Sequence, residues 1–295
     1  MSKVQANCLL LLAAAFWGFG NVAQKTVLDH LDPLSAVGMR CLIAGLMAAP
    51  LMLLERGRKF GASYRVSLIK VSLLFSISIA IQQASYLGTS VTNASFLVNT
   101  ATVITPLAAW LLIGERPTGT GGFAAAMTLG GVLLLSGGLA AGFSRGDLAA
   151  IASAACYAFW MVELGRHVKT HGAPITMAAA QFLGAAMITL PLGAFQGNLS
   201  LAAVREAGPE LAVLGIFSTG AAFGIQTFAQ RFTSASHAAV IVSAESVFGA
   251  IGAAIFLGER LSPVGAVGAA AIFGAITLLS LSVDKSENRK PAVAD

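Results

Sequence analysis

Ten predominantly apolar stretches follow one another along this chain, at 7–27, 34–54, 66–88, 91–113, 118–140, 147–167, 174–195, 209–230, 235–257 and 262–283. Each is close to the roughly 20 residues that an α-helix needs to cross the hydrocarbon layer of a bilayer. The pattern predicts an all-α polytopic membrane protein of ten transmembrane helices. Composition leaves little alternative. The chain is 56% hydrophobic and 11% charged, with a mean hydropathy of +0.80, where soluble domains carry about 25% charged residues. The first stretch begins like a secretory leader, with Lys3 and an apolar run to Ala13-Ala14-Ala15. It continues through Phe16-Trp17-Gly18 to Val27, so it is expected to stay as the first helix. Cys8, Cys41 and Cys156 are odd in number and lie in apolar runs, which fits neither a disulfide framework nor a metal cluster.

The second constraint is an internal repeat. Thr89 to Ser136 lies on Thr233 to Ser280 without a gap, at an offset of 144 residues, with about one position in three identical. Gly114-Glu115-Arg116 falls on Gly258-Glu259-Arg260. An earlier part aligns at an offset of 141, with Phe16 over Tyr157, Lys25 over Arg166, His30 over His171 and Pro33 over Pro174. The expected organisation is therefore a first five-helix unit over 1–142, a second over 143–283, and a disordered tail over 284–295. Five is odd, so the second unit enters the membrane from the opposite side. Two inverted repeats facing each other are the structural basis of alternating access.

Basic residues give the orientation. With the N-terminus inside, one face receives Lys3, Arg56, Arg58, Lys59, Arg65, Lys70, Arg116, Arg166, Lys169, Arg231, Lys285, Arg289 and Lys290. The other receives Lys25, Arg145, Arg205 and Arg260. This bias places both termini in the cytoplasm. The net charge of +5 reads as a topology signal rather than a nucleic-acid patch.

Polar and aromatic residues at helical spacing mark the faces that turn toward a common interior. The first stretch aligns Trp17, Asn21 and Gln24. The third aligns Phe75, Gln82 and Tyr86, with Gln83 beside them, and the fourth aligns Ser95, Asn99, Thr102 and Pro106. The sixth aligns Ser153, Tyr157 and Trp160, the eighth Thr219, Phe223, Gln226 and Gln230, and the ninth Ser243, Glu245 and Ser246. Rings at Trp17, Tyr86, Tyr157, Trp160 and Phe223 can enclose an apolar side chain. Amides at Asn21, Gln82, Asn99 and Gln226, with the Ser243 hydroxyl, can bond a carboxylate or an amine. The fifth and tenth stretches repeat Ala126-xxx-Gly130 as Ala270-xxx-Gly274 and are read as scaffold or dimer surface.

Three ionisable features stand out. Glu245 lies mid-span, where a carboxylate is costly, and reads as a proton site, a counter-charge for an amine, or a protonated or hydrogen-bonded glutamate that holds helices together, with Ala101 at the matching position of the first repeat. Arg40, opposite Gln181, is expected to snorkel or to pair with a helix end. His167 and His171 have metal-ligand spacing but sit beside Arg166 and Lys169, which favours a solvated basic corner. Neither a GxxxxGK[ST] loop nor an HExxH motif is present. No cofactor, metal or enzymatic activity is expected.

Ten spans in two five-helix repeats, the fourth of each running into Gly-Glu-Arg, resemble the EamA family of the drug/metabolite transporter superfamily. The resemblance rests on Phe16-Trp17-Gly18-Phe19-Gly20, Arg40, Thr89-Ser90, Thr233-Ser234 and Pro106. The family's Glu-Pro pair reads Glu245-Ser246 here. Within the family, the start of the first helix and the Trp and Tyr content look similar to the YddG-type exporters of aromatic and neutral amino acids. The resemblance implies a secondary transporter exporting amino acids or related small metabolites across the bacterial inner membrane, proton-coupled or as a facilitator. Such a protein would work as a monomer or weak homodimer, with the lipid bilayer and a small-molecule substrate as its partners. Another cargo (a nucleotide sugar, drug or purine) and a non-transporting receptor or structural protein are the alternatives.

Overall fold

A computed structural model describes residues 1–55, 61–89, 91–135, 144–196, 199–257 and 262–287. Their regular structure is entirely helical: α1 Lys3–Thr26, α2 Pro33–Ala48, α3 Ala62–Ser85, α4 Val91–Val98, α5 Ala101–Ile113, α6 Gly119–Leu135, α7 Arg145–Thr170, α8 Pro174–Phe195, α9 Leu201–Glu206, α10 Gly208–Ala212, α11 Gly224–Ala229, α12 Ala235–Val242, α13 Glu245–Leu257 and α14 Pro263–Glu287. Among the described residues, eight segments are long and apolar enough to cross a bilayer, and α2 and α6 are shorter apolar helices. A 3₁₀ segment over Ala49–Glu55 carries α2 onward to the end of its predicted span. Helix α14 runs through Glu287, so the start of the expected tail is helical. The second Gly-Glu-Arg corner, 258–260, lies outside the described residues, as do Ser90 and 288–295.

Local chemistry sets the ends. Ser2 and Ser144 form capping boxes with Gln5 and Asp147, satisfying the free amides at the starts of α1 and α7. The Asp32 side chain accepts from Leu34 N and Ser35 N before Pro33, which needs no amide partner. Gly114 closes α5 at φ 69, the left-handed cap that glycine adopts without strain.

Two spans predicted as continuous are broken, and at matching places. The fourth is interrupted at Asn99-Thr100, the ninth at Ser243-Ala244, positions 144 apart. At each break the ladder tightens to i→i−3 bonds: Thr102 N to Asn99 O at 3.0 Å, and Ser246 N to Ser243 O at 3.1 Å. A hydroxyl turns back onto the chain in both. Thr100 Oγ1 donates to Leu97 O at 2.6 Å and Ser243 Oγ to Val240 O at 2.5 Å. Such bonds offer the backbone an alternative to the helical ladder. The eighth span also departs from a plain α-helix, being π-helical over Val213–Phe223 between α10 and α11.

Packing follows the repeat. Helix α1 packs on α13 while its counterpart α7 packs on α5. Helix α3 packs on α7, and the π segment on α1; α2 packs on α8, and α6 on α14. The α6–α14 pairing agrees with their reading as scaffold, but the close approach runs through other glycines. A methyl on Gly130 would meet open space, whereas a Cβ on Gly131 would lie 2.7 Å from Gly268 O. Ala126 and Ala270 face outward. Polarity is inverted relative to a soluble protein. Leu111, Met187 and Phe195 are exposed, while Arg40, Gln83, Glu163, Gln181 and Gln226 are buried. In lipid such interior groups must find partners within the protein.

Candidate functional site

The two helix breaks meet. Asn99 Nδ2 donates to Ser246 Oγ at 2.9 Å, and Thr102 Oγ1 donates to Ala239 O at 3.4 Å. Beside this crossing lies a cavity of about 550 Å³, its open side included. Of the rings, amides and acid proposed from sequence to meet a cargo, Trp17, Gln82, Asn99, Tyr157, Phe223 and Glu245 line it. Gln24, Arg40, Thr102 and Ser153 join them, together with the apolar Val98, Ala101, Ala239 and Val242.

The rings form a connected wall. Trp17 and Phe223 have centroids 4.7 Å apart, and Trp17 Nε1 donates to Ser218 O in the π segment at 2.8 Å. A π-helical turn displaces a carbonyl from its usual partner, which suits such an external donor. The Tyr157 hydroxyl donates to Gln226 Oε1 at 3.2 Å.

The remaining sequence candidates stand behind the lining. Trp160 is fully buried and gives its Nε1 hydrogen to Gln181 Oε1 at 3.0 Å, packed against Phe75, Tyr157 and Phe223. Tyr86 is buried at the end of α3, where its carbonyl accepts from Lys25 Nζ. Ser243 spends its hydroxyl on the helix break. Gln226 holds Tyr157, and Asn21 holds Glu245. The side chain of Ser95 lies outside the described residues.

Glu245 opens α13, half-buried, and Asn21 Nδ2 donates to its Oε1 at 3.1 Å. From there a line of amides runs to Arg40. Gln24 Nε2 donates to Asn21 Oδ1 at 2.9 Å, and Arg40 Nη1 donates to Gln24 Oε1 at 3.3 Å and to Gln83 Oε1 at 3.2 Å. Arg40 Nε donates to Thr219 Oγ1 at 2.9 Å. A guanidinium can only donate and a carboxylate can only accept, so the two ends fix the orientation of both amides between them. Arg40 therefore neither snorkels nor pairs with a helix end. It is 1% exposed and forms part of the cavity wall.

Two other readings change. His167 is fully buried, with Nδ1 2.9 Å from Ser67 Oγ and its ring against Tyr64 and His171, rather than solvated. Glu163, which no sequence stripe marks, is a fully buried carboxylate facing Lys70 Nζ at 2.6 Å and Arg166 Nη2 at 3.1 Å. The spacing of Glu163 and Arg166 is the signal that could have found it. Glu115 and Arg116 of the first corner line a separate hollow of about 390 Å³ with Ser234 and His237. Among the described residues there is no cluster of three or more potential metal ligands.

A broken-helix pair enclosing a polar, ring-lined cavity within a multi-pass helical bundle defines a membrane transporter class. The sequence pattern of the EamA-like transporter family matches this chain twice, over residues 4–137 and 144–281, and the chain belongs to that family. Members of the family are transporters and not enzymes. The chain is 26% identical over 288 residues to an uncharacterized transporter of Archaeoglobus fulgidus, covering 96% of this chain and 88% of that one. It is 30% identical over 274 residues to an uncharacterized Pseudomonas aeruginosa protein, covering 92% of each. A shorter match, 30% identical over 141 residues, links 48% of this chain to 47% of the threonine/homoserine exporter RhtA of Escherichia coli K12. A solved crystal structure aligns over 97% of this chain and 100% of its own with a TM-score of 0.78 at 20% identity, a likeness of fold alone.

Proposed function

We propose that this protein exports amino acids or related small metabolites across the inner membrane by alternating access between two inverted five-helix repeats. The observation that carries this reading is the cavity at the paired helix breaks, where rings, amides and one carboxylate face a common space. The Trp17–Phe223 wall suits an apolar or aromatic side chain, and Glu245 supplies a counter-charge for the cargo's ammonium group. The named activity of the RhtA exporter, matched over about half of each chain, supports an amino-acid cargo.

Counterflow in proteoliposomes loaded with L-threonine or L-phenylalanine tests this directly. Exchange of external labelled amino acid for internal unlabelled amino acid is the expected result. Binding without exchange would retire the transport reading in favour of a receptor.

Ring truncation separates lining from support. Trp17→Ala should raise KM for L-phenylalanine about tenfold more than for L-threonine, because a ring contact is worth about 0.5–1.5 kcal/mol beyond its buried area. Trp160→Ala should change both substrates alike, since Trp160 lies behind the wall. Equal effects of Trp17→Ala on both amino acids would assign Trp17 to packing.

The inverted arrangement, with both termini in the cytoplasm, has its own check. In a variant with Cys8, Cys41 and Cys156 replaced, a cysteine at Thr118 should react with an impermeant thiol reagent from the cytoplasmic side. One at Ser262 should react from the opposite side. Labelling of both from one side would end the inverted-repeat reading.

A further inference from the structure

Arg40 is a buried cation without a carboxylate. Among the described residues, no Asp or Glu oxygen lies within 4.0 Å of its guanidinium. Its protein partners are three neutral oxygens, on Thr219, Gln24 and Gln83, which occupy Nε and Nη1. The other terminal nitrogen, Nη2, makes no bond to the described protein, and the side chain lines the cavity. Glu245 is the complementary case. It lines the same cavity, accepts from Asn21, and has no Lys, Arg or His nitrogen within 4.0 Å among the described residues.

Two opposite charges in one hollow are thus held apart by Gln24 and Asn21 rather than paired with each other. The matching positions of the repeat are packed without charges. The counterpart of Arg40 is Gln181, which occupies the equivalent place on α8, accepts from Trp160 and donates to Thr227 without a charge. The counterpart of Glu245 is Ala101, at the start of α5. One half supplies the cation and the other the anion. An uncompensated buried charge is costly in a membrane interior, and that cost is relieved by a ligand of opposite charge.

We infer that Arg40 is the carboxylate-recognition residue of the transport site, so that the cavity takes a zwitterionic amino acid in one orientation, its carboxylate on Arg40 and its ammonium on Glu245. The Nη2 group still has two N–H donors to give, and a charged donor suits a carboxylate. The cargo's side chain is then left to the Trp17 and Phe223 rings. The inference rests on the amino-acid reading above and adds the means by which a free amino acid is told from an amine.

Competition against counterflow of labelled L-phenylalanine, or of labelled L-threonine, tests it. In the wild type, the primary amide of the same amino acid, which keeps the ammonium and lacks the carboxylate charge, should compete at least about tenfold more weakly than the acid. Equal potency of acid and amide overturns the inference. In Arg40→Gln, KM for the amino acid should rise about tenfold or more while the inhibition constant of the amide moves less than about twofold. A structural role would move acid and amide together, and that result also overturns it. Arg40→Lys keeps the charge without the guanidinium's fixed donors and should retain part of the preference for the acid. If Arg40→Gln fails to assemble, the wild-type comparison and Arg40→Lys decide. Failure of both labelled amino acids to exchange in the wild type would instead overturn the cargo reading on which the inference stands.

Discussion

Glutamine at position 245 is expected to raise KM for the exchanged amino acid by about tenfold or more while leaving the protein folded. The substitution is nearly isosteric, and the bond from Asn21 Nδ2 can still be accepted by the amide oxygen. The full charge opposite the cargo's ammonium is what disappears. A charge-assisted hydrogen bond contributes about 1.5–3 kcal/mol, which corresponds to about a tenfold to hundredfold change in affinity. Two further readouts tie the loss to charge rather than to shape. N-acetylation of the amino acid removes the ammonium, so the wild type should reject the acetylated analogue and Glu245→Gln should discriminate far less. Acidification neutralises the wild-type carboxylate and should weaken uptake, whereas the variant should give a flat pH profile. A wild-type rate that is unchanged across pH, together with an unchanged KM in the variant, would remove Glu245 from the transport step.

Much of this arrangement is legible from residue order alone, because in a membrane the burden of polarity falls on a few positions. Asn21, Gln82, Asn99 and Gln226 stand out in apolar runs, and each lies in the interior, lining the cavity or holding a group that does. The offset of 144 residues pairs the two breaks, since Asn99 falls on Ser243. The breaks themselves are hidden. At each a hydroxyl returns to a carbonyl three residues back, from Thr100 and from Ser243, and neither residue type forces such a turn. Helical periodicity also cannot rank depth. Trp17 and Trp160 occupy comparable stripes, yet one faces the cavity and the other sits a layer behind it, held by Gln181 from α8. Arg40 escapes sequence reasoning on the same ground. Its snorkelling reach is a property of the side chain, while its three partners come from α1, α3 and the π segment and converge only in the folded bundle.

Alanine at Gly18 is expected to be among the most damaging single-methyl additions to this protein. Gly18 is where α1 crosses α13, and a Cβ there would lie 2.6 Å from Glu245 O, 2.6 Å from Phe248 Cβ and 2.7 Å from Gly249 N. Two of these are backbone atoms, so no rotamer change relieves the overlap, and the helices must part. Overpacking of this kind costs about 1–3 kcal/mol, against which the better helix propensity of alanine returns about 1 kcal/mol at most. The displacement falls on the first turn of α13, and it would pull Glu245 from Asn21 at the edge of the cavity. Gly18→Ala should therefore lower the thermal midpoint of the detergent-solubilised protein and reduce counterflow together. Gly130→Ala is the matched control. It lies on the outward side of α6 with no atom within 4 Å of the added methyl, and it should be neutral or slightly stabilising. Should Gly18→Ala melt and transport like the wild type, α1 and α13 do not approach this closely, and the placement of Glu245 beside Asn21 would have to be abandoned.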